Sequence, residues 1–235
     1  MKNILVIGSL NADMTIHTDR MPSLGETVEG YDFSLNAGGK GANQAVAASR
    51  YGNRVVFVAK TGDDLFGRQV RESMTQDGIV TDYVFVDKEY PSGVALITVN
   101  KEAENCIVVA SGANAHLTPA DIDTAAEEIR GAHVVLMQLE TPISTVTYAA
   151  QMAANAGVPV ILNPAPAPVE PLSDELLHNL FLITPNKSEA SRISGINIKD
   201  MESAQRAAKA IYDMGPKNVI VTLGSDGSLV YDGAM

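Results

Sequence analysis

The sequence predicts an α/β fold: a largely parallel sheet flanked by helices, with a small separate sheet placed to cover a cleft. Ile/Val/Leu-rich runs of strand length alternate with helical patterns, as repeated βαβ units require. Polar residues stand just past each run, where a parallel sheet opens its ligand-binding edge. Two segments, Glu26 to Leu35 and Asp82 to Val109, break the alternation and read as antiparallel strands of the small sheet.

In chain order, Met1-Lys2-Asn3 leads into a buried strand, Ile4 to Ile7. Ala37-Gly38-Gly39-Lys40-Gly41-Ala42-Asn43-Gln44-Ala45 opens an alanine-rich helix from Ala42 to Tyr51, stopped by Gly52. Val55 to Ala59 is the next strand, and a helix after Asp63-Asp64 runs through Val70 and Met74 to Gly78. Val94 to Val99 and Cys106 to Ala110 flank a polar turn with Lys101, Glu102, Glu104 and Asn105, so the insertion is either a lid or an edge hairpin without a role. Thr118-Pro119-Ala120-Asp121 carries the cap, proline and acid of a helix start, and Thr141-Pro142 repeats the device for a helix ending at Gly157. Strands at Val134 to Leu139, Pro159 to Leu162, Leu180 to Thr184 and Val219 to Leu223 complete the parallel set. The proline-rich piece Asn163 to Pro168 follows a strand directly and reads as a rigid loop.

The 235 residues fit one large domain, or a domain plus a small appendage, and the 46% hydrophobic, 19% charged composition is that of a globular protein. A net charge of −11 without a basic patch argues against nucleic acid. No apolar run approaches the roughly 20 residues of a membrane span, and the N-terminus does not read as a signal peptide, so a cytoplasmic location is expected. Cys106 is the only cysteine and, in its apolar segment, is expected to be buried packing.

The glycine-rich run at Ala37 to Ala45 suits a polar ligand. Glycine admits close backbone approach, a helix N-terminus offers unpaired N–H donors, and Lys40, Asn43 and Gln44 can read hydroxyls or anionic oxygens; a plain tight turn is the alternative. Asn11 and Asp13 after the first strand, with Asn43 and Glu140, supply carboxamides and carboxylates suited to neighbouring sugar hydroxyls. An Asx turn for Asn11 and Asp13, and a helix-terminus acid for Glu140, are the alternatives. Asn186-Lys187-Ser188-Glu189 could orient a hydrated Mg²⁺ through one acid, or form a capping box. Thr222-Leu223-Gly224-Ser225-Asp226-Gly227 could cradle a nucleotide by backbone contact, or simply join two strands.

Several chemistries find no match. Gly39-Lys40-Gly41 lacks the spacing and following Ser or Thr of a Walker A loop, and no dinucleotide G-x-G-x-x-G follows the first strand. His17, His116, His133 and His178 lie in unrelated contexts, against a zinc site, and there is no G-x-S-x-G elbow.

Taken together, Gly8 to Asp13, Gly25-Glu26-Thr27, Gly38 to Ala48, Thr61 to Asp64, Met137 to Glu140, Asn163 to Pro166 and Thr184-Pro185-Asn186 closely resemble the carbohydrate kinase family that includes ribokinases, fructokinases and adenosine kinase. The resemblance runs from end to end, and its glycine and Asn-Ala-Asp runs look most like those of ribokinases. It implies a ribokinase-like fold, a Rossmann-like domain over 1–235 with lid segments at about 14–36 and 82–110. It also implies ATP-dependent phosphorylation of the 5-hydroxyl of D-ribose. By the same resemblance Asn11, Ala12, Asp13, Gly39, Lys40, Gly41, Ala42, Asn43 and Glu140 would hold the sugar. Asn186, Thr222, Leu223, Gly224, Ser225, Asp226 and Gly227 would hold ATP, and Asn186 with Glu189 would orient Mg²⁺ through water. A homodimer through the lid is implied as well. The family's second signature, Asp-Thr-x-x-Ala/Gly-Gly-Asp, has no match here. The resemblance therefore places the base aspartate, the anion hole and a K⁺ site after Met235, so the 235-residue chain is expected to be truncated and inactive. Alternatives are a non-catalytic sugar-binding protein, or a kinase for deoxyribose, another sugar or a nucleoside.

Overall fold

The computed structural model describes residues 2–234; Met1, at the start of the lead into the first strand, and Met235 lie outside the described residues. Strand β1 (Asn3–Ile7) is followed by β2 (Asn11–Thr18), β3 (Gly30–Gly38), helix α1 (Lys40–Arg50), β4 (Arg54–Gly62), α2 (Leu65–Gln76), β5 (Val84–Asp87), β6 (Gly93–Asn100) and β7 (Asn105–Ala110). After a 3-10 turn at Gly112–His116 come α3 (Pro119–Thr124), α4 (Ala126–Arg130), β8 (Val134–Met137), α5 (Ile143–Asn155) and β9 (Val160–Leu162). The chain continues through α6 (Asp174–His178), β10 (Leu182–Ile183), α7 (Lys187–Ser194), α8 (Met201–Asp213), β11 (Val219–Thr222) and β12 (Ser228–Tyr231).

Eight strands form one sheet in the order β12-β11-β10-β9-β8-β1-β4-β5, parallel except for the β11–β12 hairpin. The continuous apolar runs are explained by burial on both faces. Along β1 and β4, Leu5, Ile7, Val56 and Val58 pack into one core, and Val6, Val55, Phe57 and Ala59 into the other. The first core lies under α3 to α8, and the second under α1 and α2. Fully burying one such side chain is worth about 1.5–3 kcal/mol, so this alternation fixes the register of the central strands.

The small sheet, β3-β2-β6-β7, has β2 antiparallel to β3 but parallel to β6, and β6 antiparallel to β7. It is therefore mixed rather than wholly antiparallel. The expected inserted segments also divide differently. The Val84–Asp87 part of the second pairs parallel with β4 at the edge of the large sheet, because α2 is an ordinary crossover that delivers it there. β2, which carries Asn11 and Asp13, is itself a strand of the small sheet, so neither residue sits in an Asx turn.

Three local expectations fail for physical reasons. Cys106 is exposed, because β7 is an edge strand of a single-layer sheet whose residues are all exposed. Thr141 does not cap α5: Pro142 is the N-cap residue without a side-chain bond, and the Thr141 hydroxyl is buried without a partner among the described residues. Helix α1 starts at Lys40, two residues early, because Glu140 satisfies its first N–H from another element. Thr118 does form the expected capping box with Asp121. Among the described residues no helix is long and apolar enough to cross a membrane.

Candidate active site

The glycine turn joins β3 to α1. Gly39 is the N-cap residue at φ 90°, a conformation that disfavours a side chain, and it offers no capping group. A Cβ on Gly41 would stand 2.6 Å from Ser9 N and 2.7 Å from Gly8 C, so the first turn of α1 rests directly on the β1–β2 connection. Ala42 N donates to Ser9 O at 3.0 Å and Gly41 N to Ser9 Oγ at 3.3 Å.

Glu140, three residues past β8, closes this arrangement. Its Oε2 accepts from Lys40 N at 2.9 Å and from the Ser9 hydroxyl, while Oε1 lies 3.7 Å from the Lys40 ammonium. A carboxylate at a helix N-terminus is favourably placed against the macrodipole. Here it replaces the capping side chain that Gly39 cannot supply.

Asp13 lies beside this pair and fits against Gly38, where any Cβ would overlap its carboxylate. Its Oδ1 is buried without a hydrogen-bond partner among the described residues. Burial is the main cause holding the Asp13 carboxyl above its ordinary value; the Glu140 carboxylate adds to it and the Lys40 ammonium opposes both. A desolvated acceptor of this kind is matched by a hydroxyl donor. Asn11 is buried, and its Oδ1 accepts from Asn114 Nδ2 at 2.7 Å.

Lys40 and Glu140 line a cleft of about 650 Å³ with Thr141, Pro166 and, from the β7 side, Val109 and Ser111; Asn11 and Asp13 are not among its lining residues. Ala12 alternates with Asn11 and Asp13 along β2 and packs into the core, so only its backbone is available. Asn43 is exposed on α1, with its N–H bonded to Gly39 O at 2.9 Å. Gln44 is instead held by Gln138, whose Nε2 donates to its Oε1 at 2.6 Å.

The second set of residues gathers further along the same sheet edge. Thr222 bridges Asn186, its N–H bonded to Pro185 O at 2.9 Å, and Leu223 N donates to Gly227 O at 2.8 Å to close the turn. Thr222, Gly224, Ser225, Asp226 and Gly227 are exposed while Leu223 is buried, so Leu223 anchors the turn. Lys187 Nζ meets Asp226 Oδ2 at 3.0 Å and ties α7 to it. Asn163 Nδ2 donates to Thr184 O at 2.8 Å, and Leu139 N to Ala165 O at 2.9 Å, so the proline loop laces the ends of β8, β9 and β10 into one floor. Adjacent strands lie about 4.8 Å apart, so the ends of β8 and β10 are separated by about 10 Å.

Asn186 and Glu189 form a full capping box: Asn186 Oδ1 accepts from Glu189 N and Ser188 Oγ at 2.9 and 2.8 Å, and Glu189 Oε2 accepts from Asn186 N at 2.9 Å. Among the described residues no group of three or more His, Cys, Asp or Glu is placed to hold a bare metal ion. Ser9 and Asn114 were not singled out from sequence. Both are ordinary polar residues whose side-chain partners lie far along the chain, at Gly41 and Glu140 for Ser9 and at Leu10 and Asn11 for Asn114.

An acid-and-lysine pocket at one point of a parallel sheet edge and an exposed glycine turn at another, with a β sheet over the first, define a small-molecule kinase of the ribokinase fold. The pfkB family of carbohydrate kinases matches residues 1–235, and the chain belongs to that family. It is 43% identical to a ribokinase of Haemophilus influenzae over 97% of this chain and 74% of that protein. It is 38% identical to a deoxyribokinase of Salmonella typhi, again over 97% and 74%. An Arabidopsis thaliana ribokinase, solved in complex with ribose and ATP, superposes with a TM-score of 0.88 at 32% identity, covering 99% of this chain and 76% of that one. The chain is thus a sugar kinase of the ribokinase type, a phosphotransferase with an alcohol acceptor.

Proposed function

We propose that the sugar is D-ribose and that the reaction transfers the γ-phosphoryl group of ATP to its 5-hydroxyl, giving ribose 5-phosphate in the cytoplasm, where ATP is supplied. The observation that carries this reading is the half-buried Asp13 carboxylate, its Oδ1 without a partner among the described residues, beside the Lys40–Glu140 pair that lines an open cleft. Asn11 and Asp13 hold hydroxyls, Lys40 and Glu140 fix the ring from the helix side, and Gly39, Gly41, Ala12 and Ala42 contribute backbone. Asn43, exposed one turn into α1, completes the set once sugar is bound.

ATP lies along the Thr222–Gly227 turn with Asn186 at its phosphate end. The oxygens of Asn186 and Glu189 are largely spent on capping, which suits contact with a hydrated Mg²⁺ through water rather than direct ligation. Mg²⁺ bound to ATP neutralises phosphate charge, and the protein's part is positioning. A K⁺ requirement rests on the family resemblance alone, and no described residue is assigned to it.

Of the carboxylates assigned to the two sites, Glu140 is hydrogen-bonded, Asp226 is paired with Lys187, and Asp13 serves as a binding acceptor. Deoxyribose is the second acceptor to consider, favoured by the 38% identity to a deoxyribokinase. Calorimetry with D-ribose, 2-deoxyribose, adenosine and ATP tests the assignment. Ribose should bind most tightly of the acceptors, and Asp13→Ala should weaken ribose while sparing ATP; equal loss of both would overturn the division of sites.

A further inference from the structure

Asn114 uses its carboxamide fully, and its orientation is forced. Its Oδ1 accepts from Leu10 N at 2.8 Å, and its Nδ2 donates to Leu10 O at 3.3 Å and to Asn11 Oδ1 at 2.7 Å. Exchanging the oxygen and nitrogen would set donor against the Leu10 N–H and acceptor against the Leu10 carbonyl, so only one orientation satisfies the backbone. Asn114 is 1% exposed, which leaves no water to compensate a wrong choice.

The orientation of Asn11 follows from that of Asn114. Facing a donor, Asn11 must turn Oδ1 toward Asn114, which leaves its Nδ2 pair without an accepting group among the described residues. The residues in register with Asn11 on either side are Gly38 and Gly93, so no neighbouring side chain fills the space. A Cβ at Gly93 would overlap both Asn114 Nδ2 and Asn11 Oδ1, and one at Gly38 would overlap Asp13. The two glycines keep open the ground on which these polar groups meet.

We infer that Asn114 is a positioning residue that locks Asn11 with its N–H donors toward the sugar, so that one sugar hydroxyl must accept from Asn11 while another donates to Asp13. This rests on the sugar site proposed above. It assigns opposite hydrogen-bond polarity to two hydroxyls of the acceptor, and with it a basis for selectivity beyond shape.

Fluorine keeps a hydroxyl's capacity to accept and removes its capacity to donate. The test is calorimetry of the wild-type chain with D-ribose and with its 2-deoxy, 2-deoxy-2-fluoro, 3-deoxy and 3-deoxy-3-fluoro analogues. At the hydroxyl facing Asn11 the fluoro sugar should bind more tightly than the deoxy sugar; at the one facing Asp13 it should bind no better. In ¹⁵N–¹H spectra, saturating ribose should shift the Asn11 side-chain NH₂ pair and leave that of Asn114 in place. Asn114→Ala should weaken ribose by about tenfold and shrink the fluorine advantage, with ATP affinity unchanged. Should that variant fail to fold, the wild-type titrations and spectra decide alone. Ribose binding with no fluorine advantage at either position, or with a silent Asn11 pair, would overturn this inference and leave the site standing. An absence of ribose binding would overturn the site and the inference together.

Discussion

Asp13 shows at the scale of one residue how the site sets function against stability. Burial and the Glu140 carboxylate raise its folded value above the ordinary one, so its protonated form is favoured by folding. Its contribution to stability is complete below the ordinary Asp value of about 3.9 and is lost as pH rises through the higher folded value. Asp13→Asn should therefore raise the melting temperature at pH 7 and give no gain at pH 3, while weakening ribose binding; a lower melting temperature at pH 7 would contradict this. Glu140→Ala would strip α1 of its N-terminal acceptor, as loss of a capping group does, for about 1–2 kcal/mol in chemical denaturation. The sequence offered Asp13, Lys40 and Glu140 as polar residues near the first strand, the glycine run and β8, and the structure brings them together, with Glu140 also in the helix-terminus role that was its alternative. Ser9 and Asn114 were not legible there, since their partners are fixed only by the tertiary fold.

Between elements, the small sheet is rooted by Asp64. This residue caps α2 through Gly67 N at 2.8 Å and reaches across to Ser92, just before β6, accepting from its N–H at 2.8 Å and its hydroxyl at 2.7 Å. Ser92 Oγ also meets Thr61 Oγ1 at 2.9 Å and accepts from Gly62 N at 3.1 Å. Burial pushes the Asp64 carboxyl up, but the Ser92 hydroxyl, Ser92 N–H and Gly67 N–H together hold it below the ordinary value. The resulting stability is present above that ordinary value and is lost as pH falls through the folded one. Asp64→Ala should cost about 1–2 kcal/mol as a lost cap, with a deficit that narrows on acidification, and should weaken sugar binding by loosening β6 and β7. The sequence marked the α2 terminus but not this anchor. It likewise put β5 with the inserted strands, because a four-residue strand carries too little periodicity to reveal its partner.

On the whole molecule, the small sheet exposes apolar residues on both faces of its β7 edge. Ile107 and Val108, adjacent on β7, are 51% and 62% exposed, and Leu96 is in register with Val108 across β6. Such surface favours association, and a homodimer through the lids is the assembly proposed here. Light scattering should then report about twice 24.9 kDa. Ile107→Glu with Val108→Glu, which charges both faces of β7, should return the monomer; a wild-type monomer would remove the proposal. The α/β order and the separate small sheet were readable as alternation and its interruption. The single layer was not, which is why Cys106, in an apolar strand, proved exposed.

The most direct measurement is a calorimetric comparison of D-ribose with 2-deoxy-D-ribose and adenosine on the unmodified chain, repeated with Asp13→Ala. Saturable ribose binding, tighter than that of the other two and lost in the variant while ATP still binds, is the expected result. Deoxyribose or adenosine binding as tightly as ribose, or ribose binding indifferent to Asp13, would contradict a ribose site built on Asn11, Asp13, Lys40 and Glu140.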